Sequence, residues 1–230
     1  MGDLIDTTEM YLRTIYELME EGVPPMRARI AERLKQSGPT VSQTVARMER
    51  DGLLNLTDER RIELSEQGYR LAEDVMRKHR LAERLLIDVI GLDWELVHDE
   101  ACRWEHVISE AVEHKLIRIL DAPTQSPYGN PIPGLERLGS VAAGEFRDGV
   151  VPVSDLASDD DVVEVEFVRM SENAQADVRT LRSLAEAGIR PGTRVQVRAH
   201  RSGMHLAGPS GTVEVSFDLA EKLFGRPATP

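Results

Sequence analysis

The sequence has one cysteine in 230 residues, which excludes an internal disulfide and suits a reducing, cytoplasmic setting. No apolar run approaches the ~18–20 residues of a membrane-spanning helix. The first ten residues, MGDLIDTTEM, are acidic and carry no apolar stretch of the signal-peptide kind. Positive charge is in short supply: 28 Lys and Arg stand against 40 Asp and Glu, a net charge of −12. That imbalance runs evenly along the chain and excludes a diffuse basic coat for nucleic acid, so any DNA-binding surface must be a local patch. What remains is a soluble globular protein whose length suits two or three small domains.

The lone cysteine lies in the most informative stretch, His98-Asp-Glu-Ala-Cys-Arg-Trp-Glu-His106. Apolar periodicity predicts one helix over 93–120, with Asp93 as its N-cap. At about 100° per residue, His98, Cys102, Glu105 and His106 fall within one arc of roughly 100°. Any one of them alone would read as a buried thiol or a solvated polar group; four potential donors on one face read as a metal site. His98 lies about 6 Å along the axis from Cys102, which allows it to serve a different ion from Cys102, Glu105 and His106. A preceding helix, from near Ser65 to about Ile90, stacks His79 and Glu83 one turn apart. Beside His98 that pair is a candidate half-site.

The first 73 residues read as a winged helix-turn-helix. A first helix over 4–21 has apolar positions Leu4, Met10, Tyr11, Ile15 and Leu18, and Pro24-Pro25 breaks it. A short helix from Arg27 to Lys35 follows. Ser37 then caps a second helix with Pro39 in its first turn. In that helix Val41, Val45 and Met48 form a core stripe, and Pro39, Gln43, Arg47 and Arg50 lie opposite it. Between 27 and 50, six basic residues (Arg27, Arg29, Arg33, Lys35, Arg47 and Arg50) face two acidic ones, Glu32 and Glu49. This is the local patch that the overall charge requires. Leu53–Leu56 and Ile62–Leu64 form a hairpin wing around Arg60-Arg61, placed for phosphates or a minor groove. Arg27, Arg47, Arg50 and Arg60, with the hydroxyls of Ser37, Thr40 and Ser42, are the expected backbone contacts. Gln43 can read a base and Pro39 can meet a thymine methyl.

Residues 74–140 hold the two long helices. Val97, Ala101, Trp104, Ile108 and Val112 run beside the donors, more apolar surface than so small a unit can bury, and the excess predicts a homodimer interface. The Pro-rich segment 121–134 is expected to pack as a polyproline-like strap, and 141–150 to act as a tether. Residues 151–230 read as a small β-rich, barrel-like domain. Its expected strands are Val162–Val168, Val195–Arg198, Met204–Leu206 and Val213–Phe217, with a helix at 176–187. Glu172 and Gln175 stand three apart at the start of that helix, as a capping feature, as polar side chains turned to solvent or as a pair of donors.

The segments DTTEMYLRTIYEL, RARIAERLKQSGPTVSQTVARMERDGL, VMRKHRLAERLL and HDEACRWEHV closely resemble the iron-dependent regulators of the diphtheria toxin repressor family. The resemblance is dense over about 1–140 and looser beyond. It implies a mainly α protein with a small β domain: a winged helix-turn-helix, a helical dimerisation domain and an SH3-like barrel. It further implies a regulatory metal site of Met10, Cys102, Glu105 and His106, and an ancillary site of His79, Glu83 and His98 completed by Glu172 and Gln175. Such proteins bind divalent metal, two ions per subunit, and then double-stranded operator DNA as homodimers, chiefly repressing iron-uptake and siderophore genes. No enzymatic activity, small-molecule substrate or membrane partner is expected.

The donor chemistry agrees. Thiolate, thioether, imidazole and carboxylate together form a site of mixed softness, unlike the Cys and His sets of structural zinc. Such a site suits Fe2+ and would accept Co2+ and Ni2+ at least as tightly, with Mn2+ or Zn2+ as further substitutes. A manganese-responsive regulator of the same architecture is the nearest alternative, and Cys102 with Met10 argues for iron because manganese prefers oxygen donors. A metallohydrolase with Glu105 as general base is a second alternative, but the chain has no His-Glu-x-x-His helix. An iron carrier, a third, would have no use for a recognition helix.

Overall fold

The computed structural model describes residues 6–157 and 162–228. The expected helix start at residue 4, with Leu4, lies outside them. Helix α1 (Thr7–Glu20) begins where the Asp6 carboxylate accepts the N–H groups of Thr8, at 2.7 Å, and Glu9. Such a cap satisfies donors that the first turn leaves unpaired. Helix α2 (Arg27–Leu34) stops at Lys35, which takes a left-handed φ of 51°. Ser37 caps α3 (Gly38–Arg50) by accepting from Thr40 N. Strands β1 (Leu54–Leu56) and β2 (Ile62–Leu64) pair antiparallel as the wing. Tyr11, Leu12, Ile15, Ile30, Val41, Val45, Met48, Leu54 and Ile62 close a single core. Burying each such side chain contributes about 1.5–3 kcal/mol.

Helix α4 (Glu66–Leu85) is the spine that joins this unit to the rest. Ser65 caps it, its N-terminal half packs on α1, and its C-terminal half packs on α5 (Trp94–Trp104). It ends in a wide π-helical turn, Leu86–Ile90, and a left-handed Gly91. The helix expected over 93–120 is two helices, α5 and α6 (Glu110–Ile119). β-branched Val107 and Ile108 followed by Ser109 favour a break, because they hold a helix poorly and Ser109 suits a fresh N-cap. Glu105 and His106 therefore sit in a turn rather than on a continuing helical face.

Two other expectations change. Val97 and Ala101 are buried in the chain's own core, against the C-terminal domain. Of the expected residues Val112 is exposed, and it stands with Val89, Ile90, Val107 and Ile119 among the exposed apolar side chains of the helical part, Val107 and Ile119 being about 60% exposed. The segment 121–134 is no polyproline strap. It folds back on itself, with Ser126 N donating to Asn130 O at 2.8 Å and Gly129 N to Ser126 O at 3.0 Å.

The C-terminal part is one six-stranded antiparallel sheet in the order β3-β8-β4-β5-β6-β7. Its elements are β3 (Val151–Pro152), β4 (Val162–Met170), α7 (Glu172–Gln175), α8 (Val178–Glu186), β5 (Thr193–His200), β6 (Gly203–Gly208), β7 (Gly211–Val215), α9 (Phe217–Ala220) and β8 (Leu223–Pro227). Phe217, expected in a strand, opens α9. Arg190 stacks 4.7 Å from the Trp94 ring centre, Arg182 pairs with Glu95 at 3.1 Å, and Tyr128 donates to Trp94 O at 2.6 Å. The segment 141–150 is docked too: Phe146 and Val150 are buried with Phe224, and Arg147 donates to Glu21 O at 2.8 Å.

Gly129 sets the closest approach. Its φ is +84°, and an added Cβ would overlap the carbonyl oxygen of Val168 on β4. Both the backbone conformation and the space exclude a side chain. Gly129→Ala is expected to lower unfolding stability by about 3 kcal/mol or more. A denaturant melt checks it, and an unchanged midpoint would show that the 121–134 segment does not hold the sheet in place.

Candidate metal centre

Helices α4 and α5 cross so that His79 and His98 face each other, ring centres 5.0 Å apart. Glu83, one turn along α4, brings Oε1 to 2.8 Å from His79 Nε2 and 3.5 Å from His98 Nδ1. From the C-terminal part, Glu172 Oε2 stands 3.4 Å from both rings, and Gln175 Oε1 lies 3.1 Å from His98 Nδ1. All five residues are buried, so none of them is a solvated surface group. Three segments far apart in sequence thus place five donors around one point.

The carboxylates are divided in a telling way. Glu172 Oε1 accepts from Arg80 Nε at 2.9 Å and Asn130 Nδ2 at 3.1 Å, which anchors it. Glu172 Oε2 and Glu83 Oε2 are buried and accept no hydrogen bond. Buried polar atoms without partners are rare and costly. Two of them on carboxylates that flank a pair of imidazoles, one facing both rings, fit a divalent cation.

The second group lies next to the first. Met10, Cys102, Glu105 and His106 line one cavity of about 270 Å3 between α1 and the turn after α5. His98 Nε2 lies 3.7 Å from Cys102 Sγ, and His79 Nδ1 lies 2.7 Å from Glu105 Oε2. The two sets expected from the sequence therefore share a wall: His79 and His98 touch both. Soft and hard donors in one cavity suit a borderline divalent metal.

Three residues in this centre had no signal in the sequence. Arg13 Nη1 donates to Glu105 Oε2 at 2.7 Å and to Cys102 Sγ at 3.1 Å. Glu9 Oε2 lies 2.6 Å from His106 Nδ1. Arg80 is fully buried and spans Glu20, Glu172 and Pro131 O. In a helical sequence an isolated Arg or Glu reads as solvated, and only the tertiary crossing turns these inward.

The electrostatics follow from these contacts. Burial pushes the Cys102 thiol up, but the Arg13 guanidinium and His98 outweigh it and hold the thiol well below its usual range. Burial likewise opposes ionisation of Glu105, yet Arg13 and His79 bring it down to about 2. His79 and His98 are held well above the ordinary imidazole range: burial lowers both, and their acidic and thiolate neighbours prevail. The Cys102 thiol and the Glu105 carboxyl are thus already ionised at neutral pH, whereas His79 and His98 carry protons that an incoming cation would have to displace.

A second surface lies about one helix away. Arg27, Ser37, Pro39, Thr40, Gln43, Arg47, Arg50 and Arg60 are exposed and Ser42 is half-buried, while Val41, Val45 and Met48 face inward. The Ser37 hydroxyl is within 2.8 Å of Thr40 Oγ1 as well as capping α3. Arg60 holds a left-handed φ of 61° at the wing tip. This is the outer face of a helix-turn-helix with its wing.

Three family models cover most of the chain. They are the N-terminal DNA-binding domain of iron-dependent repressors over 3–62, their metal-binding and dimerisation domain over 65–134, and the diphtheria toxin repressor SH3 domain over 149–223. The chain is 57% identical over 204 residues to the iron-dependent repressor IdeR of Mycobacterium tuberculosis, covering 88% of each. It is 52% identical over 225 residues to the diphtheria toxin repressor of Corynebacterium diphtheriae, covering 97% of this chain and 98% of that one. Among solved structures, a manganese-dependent transcriptional repressor in complex with manganese superposes with a TM-score of 0.80 at 26% identity, over 96% of this chain and all of that one. The chain belongs to the diphtheria toxin repressor family of iron-dependent, DNA-binding regulators.

Proposed function

We propose that this chain is an Fe2+-activated repressor that binds operator DNA as a homodimer in the cytoplasm and silences iron-uptake and siderophore genes. The observation that carries the reading is the cavity in which Met10 of α1 faces Cys102, Glu105 and His106. Helix α1 packs on the helix-turn-helix core, whereas Cys102 lies near the end of α5 and Glu105 and His106 lie in the turn that follows it. We divide the chain accordingly into a DNA-binding unit at 1–73, a dimerisation and metal-binding unit at 74–140, a connecting segment at 141–150 and an SH3-like unit at 151–230.

Met10, Cys102, Glu105 and His106 would hold the regulatory ion, and His79, Glu83, His98, Glu172 and Gln175 the ancillary one, two per subunit. A bound dication supplies a cross-link between α1 and the turn after α5, with no redox step required. Cys102 and Met10 favour Fe2+ over Mn2+, and Co2+, Ni2+ or Zn2+ can substitute. Fixing α1 fixes the attitude of α3, and hence the separation of the two recognition helices in a dimer, which raises the population competent to bind DNA. The exposed apolar residues Val89, Ile90, Val107, Val112 and Ile119 are the surface such a dimer would bury. On DNA, Arg27, Arg47, Arg50, Arg60, Ser37, Thr40 and Ser42 meet phosphates, Gln43 reads a base, and Pro39 meets a thymine methyl.

Operator binding is expected to require divalent metal and to weaken steeply with salt; equal affinity in excess chelator, measured by gel shift, would overturn this reading. Gln43→Ala should reduce discrimination between operator and random DNA by about 1–3 kcal/mol. Arg47→Ala should weaken both alike and flatten the salt dependence. If Gln43→Ala leaves every base-pair preference intact, α3 is not the reading helix.

The two ion sites separate by a second measurement. Because His79 touches Glu105 as well as Glu83, it belongs to both sets and cannot tell them apart. Glu172→Ala with Gln175→Ala should reduce bound Co2+ from two ions to one in equilibrium dialysis and leave operator binding dependent on metal. Cys102→Ala should abolish activation. Two ions at wild-type affinity in the double variant would remove Glu172 and Gln175 from the ligand set.

A further inference from the structure

Met10 and Arg13 are three residues apart on α1, so they lie on one side of the helix, about 4.5 Å apart along its axis. Both line the cavity of Cys102, Glu105 and His106. Arg13 engages the ligands from there: its Nη1 is within hydrogen-bond reach of Cys102 Sγ, at 3.1 Å, and of Glu105 Oε2, at 2.7 Å. A dication bonded to the same two atoms at about 2.0–2.3 Å would lie within a few ångströms of that nitrogen. Two positive charges at such a separation in a buried site repel strongly. Cys102 and Glu105 can therefore serve the guanidinium or a metal, but not both in this arrangement.

Arg13 also has another partner. Its Nε donates to Glu17 Oε1 at 2.8 Å, one turn further along α1. The other oxygen of Glu17 lies 3.6 Å from Arg33 Nη1 on α2, and Arg33 pairs in addition with Glu21. An unbroken run of charged contacts thus leads from Cys102 and Glu105 through Arg13 and Glu17 to the first helix of the helix-turn-helix. A guanidinium that releases Cys102 and Glu105 still has Glu17, and is not left as an uncompensated buried charge.

We propose that Arg13 is this chain's own competitor for the regulatory ion: it holds Cys102 and Glu105 in alternation with metal, and its withdrawal onto Glu17 loosens Glu17 from Arg33 and so carries the exchange to α2. This rests on Cys102 and Glu105 being regulatory ligands. Metal affinity is then set partly by the cost of moving Arg13, and Met10 and Arg13 are two alternative groups that α1 presents to one place.

The test is a Co2+ titration of the full-length protein, followed by the thiolate-to-cobalt absorption band, for wild type, Arg13→Gln, Arg13→Lys and Glu17→Gln. Arg13→Gln should bind Co2+ at least about fivefold tighter, Arg13→Lys should stay near wild type, and Glu17→Gln should bind more weakly. A purely structural Arg13 would make Arg13→Gln and Glu17→Gln both weaker. Equal or weaker binding by Arg13→Gln overturns the proposal. Should that variant fail to fold, unchanged or tighter binding by Glu17→Gln overturns it as well. A wild type without the thiolate band would overturn the ligand assignment itself, and the proposal with it.

Discussion

One carboxylate oxygen ties the molecule together. Glu105 Oε2, in the turn after α5, is met at 2.7 Å by Arg13 from α1 and at 2.7 Å by His79 from α4. Two helices and the turn after a third thus converge on a single buried acceptor, and one of them, α1, packs on the DNA-binding core. A buried charge of this kind is stable only while its partners stay in place, and removing one costs about 3–5 kcal/mol. Whatever changes the occupancy of this oxygen therefore acts on contacts that hold α1 and α4 to it, and through α1 on the DNA-binding core.

The C-terminal sheet enters through the same logic. Glu172 arrives from the far side of the molecule with one oxygen fastened by Arg80 and Asn130 and the other left facing His79 and His98. Arg80 is itself held by both oxygens of Glu20, on α1. A contact between the sheet and the helical part is thus also a contact with the DNA-binding unit. The folded-back 121–134 segment makes this possible: Asn130 and the Pro131 carbonyl place their polar groups around Arg80, and Gly129 lets β4 come close.

Much of this was legible from residue spacing alone. The i, i+4 pairs His79–Glu83 and His98–Cys102 needed only helical periodicity, and the cap at Ser37 fixed where α3 starts. Met10, Glu172 and Gln175 came from family resemblance, because no local pattern joins α1 or the C-terminal sheet to α5. The break between α5 and α6 was hidden for a physical reason: Trp104, Ile108 and Val112 keep an apolar period across it, and periodicity does not see a turn that preserves phase. Arg13, Glu9 and Arg80 were invisible for another. A charge on a helix is assigned to solvent unless something shows the opposing charge on a different helix, and that pairing exists only in three dimensions. Val97 and Ala101 were misassigned to a dimer surface because the C-terminal helices that pack against α5, α7 and α8, come much later in the chain.

The central claim is that metal and operator act on one equilibrium, through donors shared between α1 and the turn after α5. Thermodynamic linkage then requires reciprocity: the factor by which metal tightens DNA binding must equal the factor by which DNA tightens metal binding. The decisive measurement is the Co2+ affinity of the full-length protein with saturating operator DNA and without it. Co2+ should bind more tightly in the presence of operator, by the same factor that Co2+ confers on operator affinity, and both effects should be lost together in Met10→Ala. Identical Co2+ affinity with and without operator would contradict this linkage.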